Sequence, residues 1–227
     1  MAGPRQGRRR ARGGLGACGT GSAPTTPFLE AGTTLAALAA TVPRIRIGSL
    51  VFGMTYRHPA VLANMAASID RICGGRFTLG IGAGWQRNEH EQYGIPLPPV
   101  GERRMLPLVA RGADSWNCWG LPDLVRRKAD VLDRHCELIG RDPRSLERTA
   151  QAFLTVSRPG DAAPEPPAAS SPPAFTGTAG EVAHLVAGYV EAGLDELVVP
   201  AFRYGAADQV IDTMDLLMAE VFGPFRS

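Results

Sequence analysis

Apolar and polar residues occur along the chain in blocks that predict strands and helices in alternation. Residues 44–53, RIRIGSLVFG, have the apolar, branched composition of a buried strand, and apolar residues recur at helical spacing from His58 to Ile72. Pro59 suits the first turn of this helix, and the glycines after Cys73 end it. A second strand begins at Arg76, so the region predicts one β-α-β unit of a parallel sheet.

The remaining blocks continue this alternation to the end of the chain. Helices are predicted at residues 28–41, 102–111, 122–139, 178–193 and 206–222, and strands at residues 113–117, 149–156 and 196–201. Thr178 and Glu181 have the spacing of a capping box, whereas Pro107 should strain or interrupt its helix. The helix that Pro122 opens should bury one stripe of side chains. This predicted stripe comprises Leu124, Lys128, Val131, Leu132, His135, Leu138 and Ile139.

The composition of the strands indicates the fold class. They are too apolar for one face of each to lie in water, which predicts an α/β fold with a parallel sheet. A closed eight-stranded barrel typically needs about 250 residues, whereas only five strands are clear here. We therefore expect an incomplete barrel domain at residues 28–227, with a mobile Pro/Ala-rich loop at residues 157–175, preceded by a disordered basic arm at residues 1–27.

Glycines at alternate positions mark a candidate binding site. Gly80, Gly82 and Gly84 stand where the second strand of the β-α-β unit ends, so that backbone there can approach a flat or anionic ligand. Ligands of parallel sheets collect at the carboxyl ends of the strands. A dinucleotide-binding GxGxxG motif would need glycine where Trp85 stands, which disfavours a Rossmann site.

Composition and charge restrict the function classes. The chain has 227 residues, 44% hydrophobic and 20% charged, which is ordinary for a globular protein. Arginines are concentrated in the first twelve residues without an acidic residue among them, which allows nucleic-acid binding, but no aromatic residue is there to stack on bases. We favour a solvated arm. No apolar run approaches the roughly 20 residues of a membrane span, and no apolar core follows the arginines as in a secretory signal. A cytoplasmic protein is expected.

Neither the cysteines nor the histidines form a metal-binding pattern. The four cysteines, Cys18, Cys73, Cys118 and Cys136, show no CxxC spacing, and we expect reduced, mostly buried thiols and no metal. Residues 86–99 predict a loop or short helix. Within it, Asn88, Glu89, His90 and Glu91 lack the HExxH spacing of a zinc helix, and we expect them to be solvated.

Four segments resemble the luciferase-like oxidoreductases, particularly the branch that uses the deazaflavin coenzyme F-420. They are RIRIGSLVFGMTYRHPAVLANMAASIDRICGGRFTLGIGAGWQRNEHEQYGIPLPPVGER, GERRMLPLVARGADSWNCWG, RRKADVLDRHCELIGRDP and GYVEAGLDELVVPAF. The resemblance implies a TIM barrel with the cofactor at the carboxyl ends of its strands. It also implies hydride transfer between coenzyme F-420, or alternatively FMN, and a small organic substrate.

The same resemblance implies a set of cofactor-binding residues. They are Leu50, Val51, Gly82, Ala83, Gly84 and Trp85. In the family, the place that Leu50-Val51 matches contains a non-proline cis peptide bond behind the cofactor ring. An ordinary pair of buried strand residues is the alternative. The sequence assigns no catalytic acid or base.

The chain also departs from the family pattern. Residues 1–27 do not resemble the family's first strand, helix and second strand, and Gly101-Glu102-Arg103 stands where the family has two separate GER motifs. The intervening elements are thus expected to be absent. Open sheet edges would favour association. The chain is therefore a candidate homo-oligomer. The alternative to an active enzyme is a non-catalytic remnant that acts through a partner chain.

Overall fold

The structure is a computed structural model that describes residues 29–84, 87–97, 102–158, 173–201 and 204–225. The helices are α1 (Ala31–Thr41), α2 (Pro59–Cys73), α3 (Arg87–Gln92), α4 (Glu102–Gly112), α5 (Pro122–Leu138), α6 (Ala179–Glu191) and α7 (Ala207–Leu216). The strands are β1 (Ile47–Gly48), β2 (Phe52–Gly53), β3 (Phe77–Thr78), β4 (Ile81–Gly82), β5 (Ser115–Trp119), β6 (Glu147–Gln151), β7 (Phe153–Val156), β8 (Ala174–Gly177) and β9 (Glu196–Val198). The predicted arm and most of the predicted loop lie outside the described residues.

The chain divides into two compact units, and every strand pair described is parallel. Among the described residues, the first unit comprises residues up to 97 and the second begins at residue 102. The first unit holds the sheets β1-β3 and β2-β4, and the second holds β5-β6-β9 and β7-β8. No sheet in the described part of the chain exceeds three strands.

In the first unit, α1 and α2 pack on the short strands. The buried core there comprises Leu35, Ala39, Ile47, Phe52, Leu62, Ile69 and Cys73. Helix α2 begins and ends as predicted: His58 caps it by accepting from the backbone N–H of Ala60, and Gly74 ends it at a left-handed φ of 66°. The β-α-β unit is therefore present.

The prediction of one continuous strand over residues 44–53 is wrong. Strands β1 and β2 flank the Leu50–Val51 peptide bond, which is cis. Ser49 explains the interruption, because its hydroxyl accepts from the N–H of Gly80 at 3.0 Å and donates to the Gly80 carbonyl at 2.8 Å. The Ser49 side chain thus occupies the N–H of Gly80 and shares the Gly80 carbonyl with the backbone N–H of Phe52.

Arg76 ties the elements of the first unit together. Its guanidinium and Nε donate to three carbonyl oxygens, those of Ala39 at the end of α1, Ile45 before β1 and Cys73 at the end of α2. Backbone carbonyls at helix ends otherwise lack partners within the helix. The Arg76 side chain therefore provides a hydrogen-bond donor to a carbonyl near the end of α1, to one at the end of α2 and to one just before β1.

Glu30 caps the first helix of the same unit. Its carboxylate accepts from the N–H groups of Gly32 and Thr33 and from Arg57. Partial burial favours the neutral acid, but these hydrogen bonds and the charge of Arg57 outweigh it and lower the pKa of Glu30 from 4.5 to about 2. Folding stability from this carboxylate should thus be present above pH 4.5 and lost as the pH falls toward 2.

We expect Glu30→Gln to lower the free energy of unfolding by about 1 kcal/mol at neutral pH, a figure that allows for the exposure of the group. The two proteins should converge as the pH falls through the interval in which wild-type Glu30 becomes protonated. Urea denaturation at several pH values measures the difference. If the difference in the free energy of unfolding between the two proteins stays constant down to pH 2, the charge of Glu30 does not contribute to stability.

The second unit packs α4, α5 and α6 against the sheet β5-β6-β9. Its core includes Leu106, Trp116, Leu132, Leu154 and Val182, each less than a tenth exposed. Helix α4 continues through Pro107 without interruption, contrary to expectation. Strand β5 forms the edge of its sheet, since among the described residues it pairs only with β6.

Three predictions for the second unit require correction. Helix α5 buries Val125, Ala129, Leu132 and Cys136, whereas Leu138 is 81% exposed, so the predicted stripe is rotated. The predicted strand at residues 149–156 is two strands, β6 and β7, which pair with different neighbours. Strand β8 lies partly within the predicted mobile loop. The capping box of Thr178 and Glu181 is confirmed.

Candidate functional site

The first unit contains a glycine rim, residues 80–84, on which the predicted cofactor-binding residues converge. A side chain at Gly80 would place its Cβ 2.1 Å from the carbonyl oxygen of Ser49, far inside van der Waals contact. The Gly80 carbonyl also accepts from the N–H of Phe52 at 2.9 Å. Glycine is thus required at this position so that the chain around Ser49 can approach.

Val51 lies directly against the next glycine of the rim. One of its methyl groups would be 2.6 Å from a Cβ at Gly82, and the other 3.2 Å from a Cβ at Gly80. The side chain of Val51 is nonetheless 46% exposed. It therefore forms an apolar surface that contacts glycine backbone on one side and is open on the other.

The last glycine of the rim turns the chain toward α3. Gly84 has a φ of +82°, and a Cβ there would be 2.7 Å from Cε1 of His90. The imidazole of His90 is 1% exposed. The positive φ and the packing of His90 both require glycine at this position.

His90 is held by two hydroxyl groups that lie just after β2. Thr55 Oγ1 donates to the carbonyl of Ala83 at 3.2 Å and lies 3.0 Å from Nε2 of His90. Tyr56 OH lies 3.3 Å from Nδ1. A neutral imidazole satisfies both contacts when Nε2–H donates to Thr55 and Nδ1 accepts from Tyr56. The ring of Tyr93 meets that of Tyr56 edge-on at 6.2 Å.

Most of the predicted binding residues come together in this unit, and one residue was missed. Leu50 and Val51 directly precede β2, and Gly82, Ala83 and Gly84 lie at the carboxyl end of β4, whereas Trp85 lies outside the described residues. The expectation that His90 is solvated is wrong. It lies on α3 and is buried because Thr55 and Tyr56 provide partners for both of its nitrogens.

The second unit has a polar network on one face of its three-stranded sheet. Asn117 donates from Nδ2 to Thr149 Oγ1 at 2.7 Å, and Gln151 donates from Nε2 to Asn117 Oδ1 at 2.7 Å. Thr149 and Gln151 are both less than a tenth exposed. Buried polar side chains at the carboxyl end of a parallel strand form a second candidate site, which sequence patterns alone did not indicate.

Two partly buried ionisable groups of the second unit, Asp133 and Tyr204, have partners within the unit. Burial raises the pKa of Asp133, although its ion pair with Arg148, at 2.5 Å, opposes the shift. Burial likewise raises the pKa of Tyr204, whose hydroxyl donates to the carbonyl of Leu154 at 2.6 Å. Cys73, Cys118 and Cys136 are buried and belong to no disulfide bond, as expected, whereas Cys18 lies outside the described residues. Among the described residues, no group of three or more His, Cys, Asp and Glu could hold a metal ion.

No described helix combines the length and apolar character that crossing a membrane requires.

Residues 11–103 match the family model of the luciferase-like monooxygenases. Two pyrimidine monooxygenases RutA of Escherichia coli are 48% identical over 67 residues, or 30% of this chain. The stretch is 20% of one relative and 18% of the other, so the match spans about a fifth of their length.

Solved structures extend the comparison to both units. The coenzyme F-420 dependent tetrahydromethanopterin reductase of Methanopyrus kandleri has a TM-score of 0.68 at 13% identity, covering 86% of this chain and 87% of that one. The long-chain alkane monooxygenase LadA has a TM-score of 0.66 at 12% identity, covering 88% and 74%. The likeness shows the fold, the α/β barrel type that the sequence predicts. The similarity in sequence to the luciferase-like monooxygenases rests on the match over residues 11–103.

Proposed function

We propose that this chain is an oxidoreductase that binds the ring of coenzyme F-420, or alternatively FMN, against Val51 and the glycine rim for hydride transfer with a small organic substrate. The main support for this proposal is the environment of Val51. Its methyl groups lie against Gly80 and Gly82, while 46% of the residue stays exposed. A fixed apolar surface open on one side suits one face of a flat ring.

The cofactor supplies the redox step when bound, and the chain holds it and excludes water. Leu50 and Val51 would lie behind the ring, and Gly82, Ala83 and Gly84 would pass along its edge. By the sequence resemblance Trp85 would lie beside it. We assign no catalytic acid or base.

Solved structures of the same fold include proteins that use one or the other of the two proposed cofactors. One is described as coenzyme F-420 dependent, and another, the riboflavin lyase RcaE, was solved with modified FMN at a TM-score of 0.63 and 12% identity. We place coenzyme F-420 first because the sequence segments resemble that branch. The substrate is proposed only as a small organic molecule.

A fluorescence titration of the full chain with each cofactor tests the proposal. We expect coenzyme F-420 to bind more tightly than FMN, and Val51→Asp to weaken binding by about tenfold or more because a charge replaces an apolar contact. Val61→Asp is the matched control, since Val61 is a similarly exposed valine on α2, at 54% against 46%. Equal affinity of the two variants, both folded by circular dichroism, would overturn the site.

The second candidate is a non-catalytic remnant that acts through a partner chain. It is favoured by the short sheets and by the edge position of β5 among the described strands. An unpaired strand edge is a template for association. In that case the wild-type chain should bind neither cofactor, and light scattering after size exclusion should show an oligomer or a complex.

A further inference from the structure

The two faces of the sheet β5-β6-β9 differ in chemistry. Trp116, Cys118 and Ala150 lie on one face and are buried in the apolar core of the second unit. Because side chains alternate along a strand, the residues between them lie on the opposite face. That face comprises Ser115, Asn117, Trp119, Glu147, Thr149, Gln151, Glu196 and Val198. It is predominantly polar, unlike the usual packed interior of branched apolar residues in a barrel.

A directed chain of hydrogen bonds orients the amide of Gln151 on this polar face. Thr149 Oγ1 lies 3.2 Å from the carbonyl of Trp116 and donates its one proton there. It therefore accepts from Nδ2 of Asn117, which turns Oδ1 of Asn117 toward Gln151. Nε2 of Gln151 donates to that oxygen. Oε1 of Gln151 is consequently held as an acceptor pointing away from the network.

Oε1 of Gln151 is available to a ligand. Gln151 is only 6% exposed, and within the described residues Oε1 has no hydrogen-bond partner. Among the described residues, every fully buried side-chain nitrogen or oxygen has a hydrogen-bond partner. Because Oε1 of Gln151 has none, it is not fully buried, and a ligand can reach it. An acceptor that burial has largely desolvated gains more from a ligand donor than an exposed acceptor does.

An aromatic pair lies beside this acceptor. Trp119 is directly opposite Gln151 in the parallel register, on the same face. Its ring packs against Phe153 with centroids 5.6 Å apart and planes inclined by 38°. A planar ligand can lie against such rings while its edge reaches Gln151.

We propose that Gln151 and Trp119 form a binding site for a planar heterocycle carrying a ring N–H beside a carbonyl, that is, a cyclic amide. The ring N–H donates to Oε1 of Gln151, and the second hydrogen of Nε2 is available to the carbonyl. Asn117 and Thr149 are positioning residues that fix the direction of the amide. The site lies within the second unit and does not depend on the cofactor proposed above.

Ligand-observed NMR on the full chain, without cofactor, tests this site with 2-pyridone as the probe. We expect a dissociation constant on the order of 1 mM for so small a ligand. N-methyl-2-pyridone, which lacks the donor, should bind about tenfold more weakly or not at all. Binding of both compounds with equal affinity, or of neither, would overturn the proposal, and this comparison uses only the wild-type chain.

Gln151→Leu should remove the preference for 2-pyridone over its N-methyl derivative. Gln92→Leu is the matched control, because it makes the same chemical change at an exposed position on α3. It should retain the wild-type preference. Retention of the preference in folded Gln151→Leu would show that another residue accepts the ring N–H and would overturn the assignment.

Discussion

Gly80→Ala should abolish cofactor binding and lower the free energy of unfolding by about 3 kcal/mol. The new Cβ would lie 2.1 Å from the carbonyl oxygen of Ser49, which is backbone and cannot rotate away. Moving that oxygen also disturbs the two hydrogen bonds between the Ser49 hydroxyl and Gly80. Since Val51 follows directly in the chain, the proposed ring-binding surface would move with it.

Thermal denaturation and the cofactor titration together measure this effect. Gly180→Ala is the matched control, because Gly180 lies in α6 with nothing within 4 Å of an added Cβ. It should leave stability unchanged or raise it by about 0.5–1 kcal/mol, as helix propensity predicts. If Gly80→Ala unfolds at the temperature of the control, the close approach of Ser49 does not determine the choice of glycine.

The glycine pattern indicates where a ligand could approach the backbone, but it does not give the reason for each glycine. Alternate glycines were expected to make room for a ligand, and the structure shows that the Cβ positions at Gly80 and Gly82 would meet Ser49 and Val51. The sequence cannot show this, because the contacts come from residues about thirty positions away. A ligand would therefore contact Val51 rather than occupy the positions of the missing side chains.

Local signals were reliable where one short segment determines the structure. The proline start and glycine end of α2, and the capping box of Thr178 with Glu181, depend on contacts within a few residues. The buried stripe of α5 depends on its neighbours, and these select the small residues Ala129 and Cys136 while leaving Leu138 in water. Hydrophobicity alone ranks these residues in the opposite order.

Strand boundaries were the least predictable part of the fold. Residues 149–156 have a continuous strand composition, yet β6 and β7 pair with different strands on either side of Ala152. Strand β8 follows a Pro/Ala-rich segment that has the composition of a mobile loop. Strand composition indicates the capacity to pair, whereas the partner is set by tertiary structure.

His90 shows the same limit at the candidate site. A histidine among charged residues is normally solvated, and nothing in its own segment identifies Thr55 and Tyr56 as partners. The structure brings them together because the turn after β2 and helix α3 both follow strands that pair with each other. Each nitrogen of the buried ring then has a hydroxyl within 3.3 Å.

We expect His90→Leu to lower the free energy of unfolding by about 2–4 kcal/mol, and to weaken cofactor binding in whatever fraction remains folded. Leucine fills similar volume, but it leaves the hydroxyls of Thr55 and Tyr56 without the partners that His90 provides. Thr55 also donates to the carbonyl of Ala83, so the loss should loosen the glycine rim itself. Urea denaturation and the cofactor titration measure the two effects.

Two further variants separate the hydrogen bonds of His90 from its volume. His184→Leu makes the same substitution at an exposed position on α6 and should change neither stability nor binding appreciably. His90→Gln keeps a donor and an acceptor and should recover part of both losses, because a side-chain amide can still pair with the two hydroxyls. If His90→Gln is no better than His90→Leu, the packing of the imidazole against Gly84 accounts for its role, and the hydrogen bonds to Thr55 and Tyr56 do not.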